Sequence, residues 1–244
     1  MSLNVKEMKN ENTGFTQPIM DAGVYPAYLA QVVGLGLQEQ RAWEGKPKEP
    51  KQMVRFVYEL ADEFMIDEEG NVTEEPRIRG EDIPLNPLDN DQANSTKRYY
   101  AIDPEVEADG DWSKLVGKPI MITITATKGK GKHEGKVFNN IAGTATPRAK
   151  EVGNMNPMVS EPVVFDMYEP DIEVFMDFPT WIQDKVKLSL DYEGSELEAL
   201  VDAYVPKEDD EKEAKKKKAP KEEAPVKEKE DTSPEGANST EEDW

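Results

Sequence analysis

The stretch "PIMITITATKGKGKHEGKVFNNIAGTATP" spans residues 119–147 and carries the clearest structural pattern in the chain. Its first part alternates, with Ile120, Ile122 and Ile124 on one face and threonines on the other, which predicts a half-buried β-strand. "KVFNNIAGTATP" predicts a partner strand, and the glycine-rich "KGKGKHEGK" between them predicts a tip. The stretch therefore predicts a β-hairpin that carries lysines at its turn.

Two apolar runs nearer the start of the sequence predict further strands. "VYPAYLAQVVGLGLQ" is rich in β-branched residues and is interrupted by Gly34 and Gly36, which predicts a long strand with a bend or bulge. "KQMVRFVYEL" alternates, so Phe56 and Tyr58 share the face of Val54 and Leu60, where core packing is expected. The polar connector "EQRAWEGKPKEP" between these runs predicts a loop.

The remaining segments predict helices and one insertion. "PEVEADGDWSKLVGKP" contains a short helix beginning at Asp111, and the acidic region 61–95, rich in Pro and Asp, is interpreted as an insertion. Residues 179–204 repeat apolar side chains at helical spacing, which predicts one or two helices, with Ser195 as an N-cap and Trp181 in the core.

This order predicts a mainly β protein with appended helices. Two strands, a helix and a hairpin are compatible with a Greek-key β-barrel of the OB type, here one domain over residues 21–205. Residues 1–20 are expected to be flexible. Residues 206–244 are almost entirely Lys, Glu, Asp, Ala and Pro before a final aromatic, and such a composition predicts a disordered acidic tail.

Charge is distributed unevenly along the chain, which has 30 basic and 51 acidic residues. Residues 112–150 contain 8 basic residues and 1 acidic residue, whereas the flanking segments 59–111 and 151–205 have net charges of −13 and −11. A basic segment inside an acidic protein is typical of a polyanion site with repulsive surroundings. A solvated basic hairpin without a ligand is the alternative interpretation.

Several chemistries are excluded or disfavoured by composition. The chain has no cysteine and one histidine, His133, so thiol catalysis, histidine triads and multi-histidine metal sites are excluded. The phosphate-loop pattern G-x-x-x-x-G-K-[ST] is absent, and no stretch approaches the roughly 20 apolar residues of a membrane helix. We therefore expect no catalytic residues, no enzyme activity, no cofactor, no metal and no membrane partner.

Several stretches together resemble the single-stranded DNA-binding proteins of tailed bacteriophages, which have an OB-fold body and an acidic C-terminal tail ending in an aromatic residue. Their order and the terminal aromatic carry the resemblance, which covers most of residues 24–192. It implies binding of single-stranded DNA during phage replication and recombination in the cytoplasm of the host bacterium. The stretches are "VYPAYLAQVVGLG", "KQMVRFVYEL", "LVGKPIMITI", "GKVFNNIAGTATP", "FPTWIQDKVKLSLDY" and the closing "EEDW".

Binding a single strand requires cations for phosphates and exposed rings on which bases stack. In "KVFNNIAG", Val137 and Ile141 share one face, so Phe138 points to the other and is the best stacking candidate. Arg55 alternates away from the core face of its strand, and Tyr28 is a weaker candidate. The nucleic-acid-binding candidates are Arg41, Trp43, Lys48, Lys51, Arg55, Lys97, Arg98, Tyr99, Tyr100, Lys128, Lys130, Lys132, Lys136 and Phe138.

Two of these candidates leave alternatives open. If "KRYY" is extended, Tyr99 and Tyr100 point to opposite faces, so one is buried and one is exposed, and the sequence does not say which. Trp43, close to Arg41 and Lys48 in the predicted loop, either stacks on bases or covers an apolar patch.

The tail ends in Glu241, Glu242, Asp243 and Trp244. Its carboxylates imitate phosphates and its ring imitates a base, so we expect the tip to compete for the DNA groove and, when released, to bind replication proteins such as a polymerase or a helicase-primase. A solubility tail is the alternative. Two rival functions also remain: a phage virion or scaffold-type structural protein, and an acidic DNA mimic that inhibits a host protein.

Overall fold

The computed structural model describes residues 16–43 and 45–205, with the backbone alone at Trp43 and Lys132. Within these residues the chain is mainly β. The strands are β1 (Gly23–Trp43), β2 (Lys46–Ile66), β3 (Val72–Pro84), β4 (Pro119–Lys128), β5 (Val137–Ala145) and β6 (Val163–Phe165). The helices are α1 (Asn94–Ile102), α2 (Ala149–Val152), α3 (Ile172–Asp177), α4 (Thr180–Lys187) and α5 (Glu196–Ala203), with 3-10 turns at Trp112–Leu115 and Gly131–His133.

The strands form one curled sheet in the order β3-β2-β1-β4-β5. These neighbours are antiparallel, and the short β6 adds in parallel to β1. The sheet makes a half-barrel that is compatible with an OB-like fold. Helix α1 follows β3 in sequence and contacts β3, β4 and β5, so it lies beside the two end strands of the sheet.

The hairpin and the bulge predicted from sequence are confirmed. Strands β4 and β5 pair from Met121–Ala145 to Lys128–Val137. The β1–β2 register shifts between Gly34 and Gly36. Gly36 has φ +73, and a Cβ there would collide with Ser189 and Met167. This position therefore needs glycine for both conformation and space.

The predicted short helix and C-terminal helices are also present. The side chain of Asp111 accepts a hydrogen bond from Ser113 N and caps the first 3-10 turn. Ser195 caps α5 by accepting from Glu198 N. Both caps satisfy backbone donors that a helix leaves unpaired in its first turn.

Two predictions about local structure are wrong, and the conformation that the sequence left open at "KRYY" is settled. The region 61–95 is not an insertion outside the sheet, because its first residues continue β2 and residues 72–84 form β3. The connector 39–50 is not a loop, because β1 and β2 continue through it as a two-stranded ribbon, paired from Gln38–Lys51 to Trp43–Lys46. "KRYY" is helical, within α1.

Strand β1 contributes to two hydrophobic cores because apolar residues occupy both of its faces. Leu29 and Val32 face the inside of the curl, where Phe56, Tyr58 and Ile122 are also buried. Val33 and Leu35 face the outside, where they pack against a cluster formed by β6 and helices α3, α4 and α5. The C-terminal helices therefore cover part of the outer face of the sheet.

The segment before β1 is held in place rather than flexible from residue 16 onward. The amide of Asn139 on β5 accepts from Met20 N and donates to Met20 O, both at 2.9 Å. Gln17 makes the same two-way contact with the backbone of Ile66 at the end of β2. Arg77 on β3 donates to Pro18 O at 2.6 Å. This segment consequently links β5 to β2 and β3. In the described ranges, no helix combines the length and apolar character needed to cross a bilayer.

Candidate nucleic-acid interface

Phe138 lies on the outer face of β5 with 42% of its surface exposed. It is paired opposite Thr127 of β4, and its orientation follows from its neighbour. The Asn139 side chain turns inward to bond Met20, and alternation then directs Phe138 away from the core. The ring is therefore available to a ligand, as the face assignment from sequence predicted.

The tip beside this ring is built for a tight turn. Gly129 N donates to Lys136 O at 2.8 Å. A Cβ on Gly129 would collide with the backbone of His133, so no larger residue fits. The His133 ring meets Phe138 edge-on at 5.8 Å between centroids. The His133 ring therefore packs against one side of the Phe138 ring.

Lys128, Lys130 and Lys136 are exposed around the tip, while the side chain of Lys132 lies outside the described part of the chain. We call the set Phe138, Lys128, Lys130 and Lys136 the hairpin surface. Between Asp111 and Glu151 the sequence contains one acidic residue, Glu134. The hairpin surface thus combines an exposed ring with cations in the one strongly basic stretch of an acidic protein.

The β1–β2 ribbon carries further exposed candidates, Arg41, Lys48 and Lys51. The Gln40–Lys48 and Gln38–Lys51 pairs place these lysines opposite glutamines, where no like charge opposes them. Strand β1 ends at Trp43, at the tip of the ribbon. The Trp43 side chain is not among the described parts of the chain. The ribbon therefore projects basic residues beyond the rest of the sheet.

Arg55 is not a groove residue. Its guanidinium pairs with Asp82 Oδ1 at 2.7 Å and stacks at 4.3 Å on the ring of Trp181, leaving 13% of the side chain exposed. Lys185 binds the other oxygen of Asp82. Trp181 is half-buried rather than fully in the core, because its ring covers Arg55. A Cβ at Gly80 would strike Arg55, so glycine on β3 makes room for this contact.

Arg98 is also unavailable to a ligand. It donates to both oxygens of Glu81 on β3, at 2.9 and 3.0 Å, and is 3% exposed. Tyr58 donates to Glu81 Oε1 at 3.0 Å. Burial, followed by the Glu81 carboxylate, raises the pKa of Tyr58 well above its ordinary value. Burial alone would lower the pKa of Arg98, but the bonds to Glu81 raise it. This network fixes α1 to the sheet.

Of the two adjacent tyrosines, Tyr100 is the exposed one. Tyr99 is fully buried; its hydroxyl donates to Asp103 Oδ2 at 3.1 Å and accepts from Gly110 N at 2.8 Å. Tyr100 is 37% exposed, and the adjacent Lys97 is exposed as well. Consecutive helical residues differ by about 100° in direction, so one can be buried and the next exposed without an extended chain.

A cavity of about 470 Å³ lies between α1 and the end of β5. We call it the α1–β5 groove. Its helical wall includes Lys97 and Tyr100, and its other wall is formed by residues 142–146 of β5 and its continuation. Sequence reasoning missed the β5 wall because Ala, Gly and Thr carry no chemical signal. The one available clue was the absence of acids from residue 135 to residue 150.

The outer face of β2 is covered by the chain itself. Glu59, 1% exposed, accepts hydrogen bonds from Val159 N at 2.6 Å and Ser160 N at 2.7 Å. Asn156 donates to Ala61 O at 3.0 Å. Residues 156–160 are thus tied across this strand. Phe138 and Asn140 of β5 are exposed, by contrast.

No group of three His, Cys, Asp or Glu residues in the described ranges has the arrangement of a metal site. The predicted partner-binding residues Glu241, Glu242, Asp243 and Trp244 lie outside the described residues. No protein-family model matches the chain, and a search of curated proteins gives no significant match.

Proposed function

We propose that this protein binds and protects single-stranded DNA without catalysing a reaction, and that it does so during the replication and recombination of a bacteriophage inside its host. The observation that carries the proposal is the hairpin surface. A ring with 42% exposure stands beside exposed lysines at the tip of the β4–β5 hairpin.

The chemistry of this surface favours a single strand over a duplex. Stacking on a ring requires bases with a free face, which paired bases inside a duplex do not offer. Lysines attract phosphates of any sequence, so we expect little sequence preference. The ribbon residues Arg41, Lys48 and Lys51 would add further phosphate contacts.

The strand order supports an OB-type assignment. An OB-fold is a partly open five-stranded barrel whose β1–β2 and β4–β5 loops contribute to ligand binding. Here β1–β2 is the basic ribbon and β4–β5 carries the hairpin surface, with a helix between β3 and β4. The β2–β3 face, by contrast, is covered near Arg55 and Glu59, so we place the ligand on β4 and β5.

The proposal is tested by titrating fluorescent single-stranded oligonucleotide with the full chain at several salt concentrations. About four phosphate contacts would give a slope of log K against log salt near −3. Duplex of the same sequence should bind more weakly. A slope near zero, or equal affinity for duplex, would refute the proposal. Large assemblies without DNA would instead favour a structural protein.

We extend the proposal to the tail. Residues 241–244 carry three carboxylates and Trp244, a combination that can occupy a site for phosphates and bases. Binding of the tip to cations is ionic and is therefore screened by salt. Deleting residues 231–244 should tighten DNA binding most at low salt, while replacing Trp244 alone should chiefly weaken binding to replication proteins. Unchanged values in both variants would leave the tail a solubility device.

A further inference from the structure

We infer that the bound strand continues from the hairpin surface along β5 into the α1–β5 groove, which forms a second nucleotide subsite. This inference rests on the proposed function and specifies the route of the ligand. The observation behind this inference is the position of the groove. The groove lies at one end of β5, and Phe138 lies near the other end.

The groove has the chemistry of a nucleotide site. Tyr100 presents a partly exposed ring, and Lys97 presents an ammonium group with no ion pair among the described residues. Arg98 also lines the groove but is already neutralised by Glu81. None of the lining residues is acidic. A base can therefore stack on Tyr100 while Lys97 binds an adjacent phosphate.

The Tyr100 ring is held in place before a ligand arrives. It meets the buried Tyr99 ring edge-on, with centroids 6.1 Å apart and an interplanar angle of 84°. Its hydroxyl donates weakly to Leu88 O at 3.4 Å. A fixed ring loses little conformational entropy on stacking, which favours its use as a platform.

The opposite wall leaves room for a nucleotide. It consists of Ala142, Gly143, Thr144, Ala145 and Thr146, which are small residues. The groove has a volume of about 470 Å³ and is open to solvent.

The spacing along β5 sets the length of the site. From Phe138 to Ala142 the chain rises about 14 Å, and to Thr146 about 27 Å, at about 3.4 Å per residue. Stacked nucleotides are also spaced by about 3.4 Å in one strand, so the route accommodates about 4 to 8 nucleotides. This length lies within the site sizes of about 4–16 nucleotides found for OB folds.

The connecting stretch carries no repulsive charge. Asn140 is the exposed side chain between Phe138 and Ala142, where the groove begins. The nearest acid along the chain beyond the groove is Glu151, and it is paired with Arg148 at 2.6 Å. In a protein with net charge −21, a strand without acidic residues between two ring-and-lysine clusters is a specific feature.

The test uses the absence of cysteine, which allows single-site labelling of the full chain. The Ala145→Cys variant carries an environment-sensitive fluorophore in the groove wall, and Lys187→Cys on α4 is the matched control. Each is titrated with oligothymidylates of about 4 and about 12 nucleotides. We expect the groove label to respond to the longer oligonucleotide, and the control label to respond to neither.

A second arm measures affinity by anisotropy. Tyr100→Ala should weaken binding of the longer oligonucleotide by about 5- to 150-fold, while Tyr100→Phe, which keeps the ring, should bind like the original chain. Lys97→Gln should reduce the salt slope by about 0.7, and Lys97→Arg should not. Binding of the short oligonucleotide at the hairpin surface should be unchanged in all four.

The two measurements distinguish a failure of the proposed function from a failure of the proposed route along β5. If neither oligonucleotide binds, the proposed function fails. If both bind but the groove label is silent and Tyr100→Ala has no effect, the function stands and the route is overturned. If the groove label responds to a peptide of residues 231–244 and not to oligonucleotide, the groove is a peptide site and the inference is again overturned.

Discussion

The β2–β3 half and the β4–β5 half of the sheet use basic residues in opposite ways. On β2 and β3, Arg55 and the incoming Lys185 share Asp82, and Trp181 covers the arginine. On β4 and β5, Lys128 and Lys130 stand in solvent beside an uncovered Phe138. A cation and an aromatic ring are present in both places. Only in the second is the pair left uncovered, so residue type alone does not show whether a cation and a ring are accessible.

The difference arises from what packs on each half. The outer face near β2 and β3 is covered by α4 and by residues 156–160, which supply partners for buried charges. Buried charges in turn require such partners, since an unpaired charge in a protein interior is costly. No described α-helix covers the hairpin tip, so Lys128 and Lys130 remain exposed to solvent.

The largest expected effect concerns Arg98, a cation of the closed region. Arg98→Ala should lower the free energy of unfolding by about 3–5 kcal/mol, because it removes the cation from the largely buried Glu81 carboxylate. Urea denaturation measures the change. Lys97→Ala, one residue earlier on the same helix and exposed, should alter stability by less than about 0.5 kcal/mol. Equal stability of the two variants would contradict the assignment of Arg98 as a buried, stabilising cation.

Phe138→Ala tests the open half. We expect single-strand binding to weaken by about 1 to 3 kcal/mol, since a stacking platform is lost, with little change in thermal stability. Leu188→Ala is a matched control, because Leu188 is 58% exposed but lies at the end of α4. A large loss of stability without a change in binding would mean that Phe138 is a packing residue.

Salt dependence compares the lysines of the two halves directly. The double variant Lys128→Gln, Lys130→Gln should make the slope of log K against log salt shallower by about 1.4, at about 0.7 per phosphate contact. The double variant Lys185→Gln, Lys187→Gln should leave the slope unchanged, because Lys185 already neutralises Asp82. Equal slopes in the two double variants would assign phosphate binding to other residues.

The smallest expected effect concerns the loop that joins the two halves in sequence. Hydrogen bonds from Ala108 N, Glu107 N and the Tyr99 hydroxyl outweigh burial and lower the pKa of Asp103 below its ordinary value. The ionised carboxylate therefore stabilises the fold above the pKa of the unfolded chain, about 3.9, and this stabilisation is lost as the pH falls through the lower folded value.

Asp103→Asn should accordingly be less stable than the original chain at neutral pH, and the gap should narrow as the solution is acidified below about pH 4. Thermal melts across pH measure the gap. A gap that stays constant down to acid pH would show that packing, and not the carboxylate charge, accounts for the loss.

Much of the fold was predictable because its signals are local. Alternation identified β4, β5 and part of β2, and glycine placed the bulge at Gly36. Strand β3 was missed because its inner face carries Arg79 and Glu81 where a strand next to a core usually shows apolar residues. The Glu81 charge is tolerated because it meets Arg98 and Tyr58, a compensation that alternation alone does not reveal.

By itself, the sequence determined the strands with regular alternation, the helix caps at Asp111 and Ser195, and the exposed face of Phe138, because each depends on residues a few positions apart. Only the tertiary structure shows which of the candidate basic residues are exposed and which are paired in the interior. Arg55 finds Asp82 at a separation of 27 residues, and Glu59 finds Val159 at a separation of 100. Such pairs form only when distant segments meet, so periodicity along the chain does not encode whether a charge ends in solvent or in a buried pair.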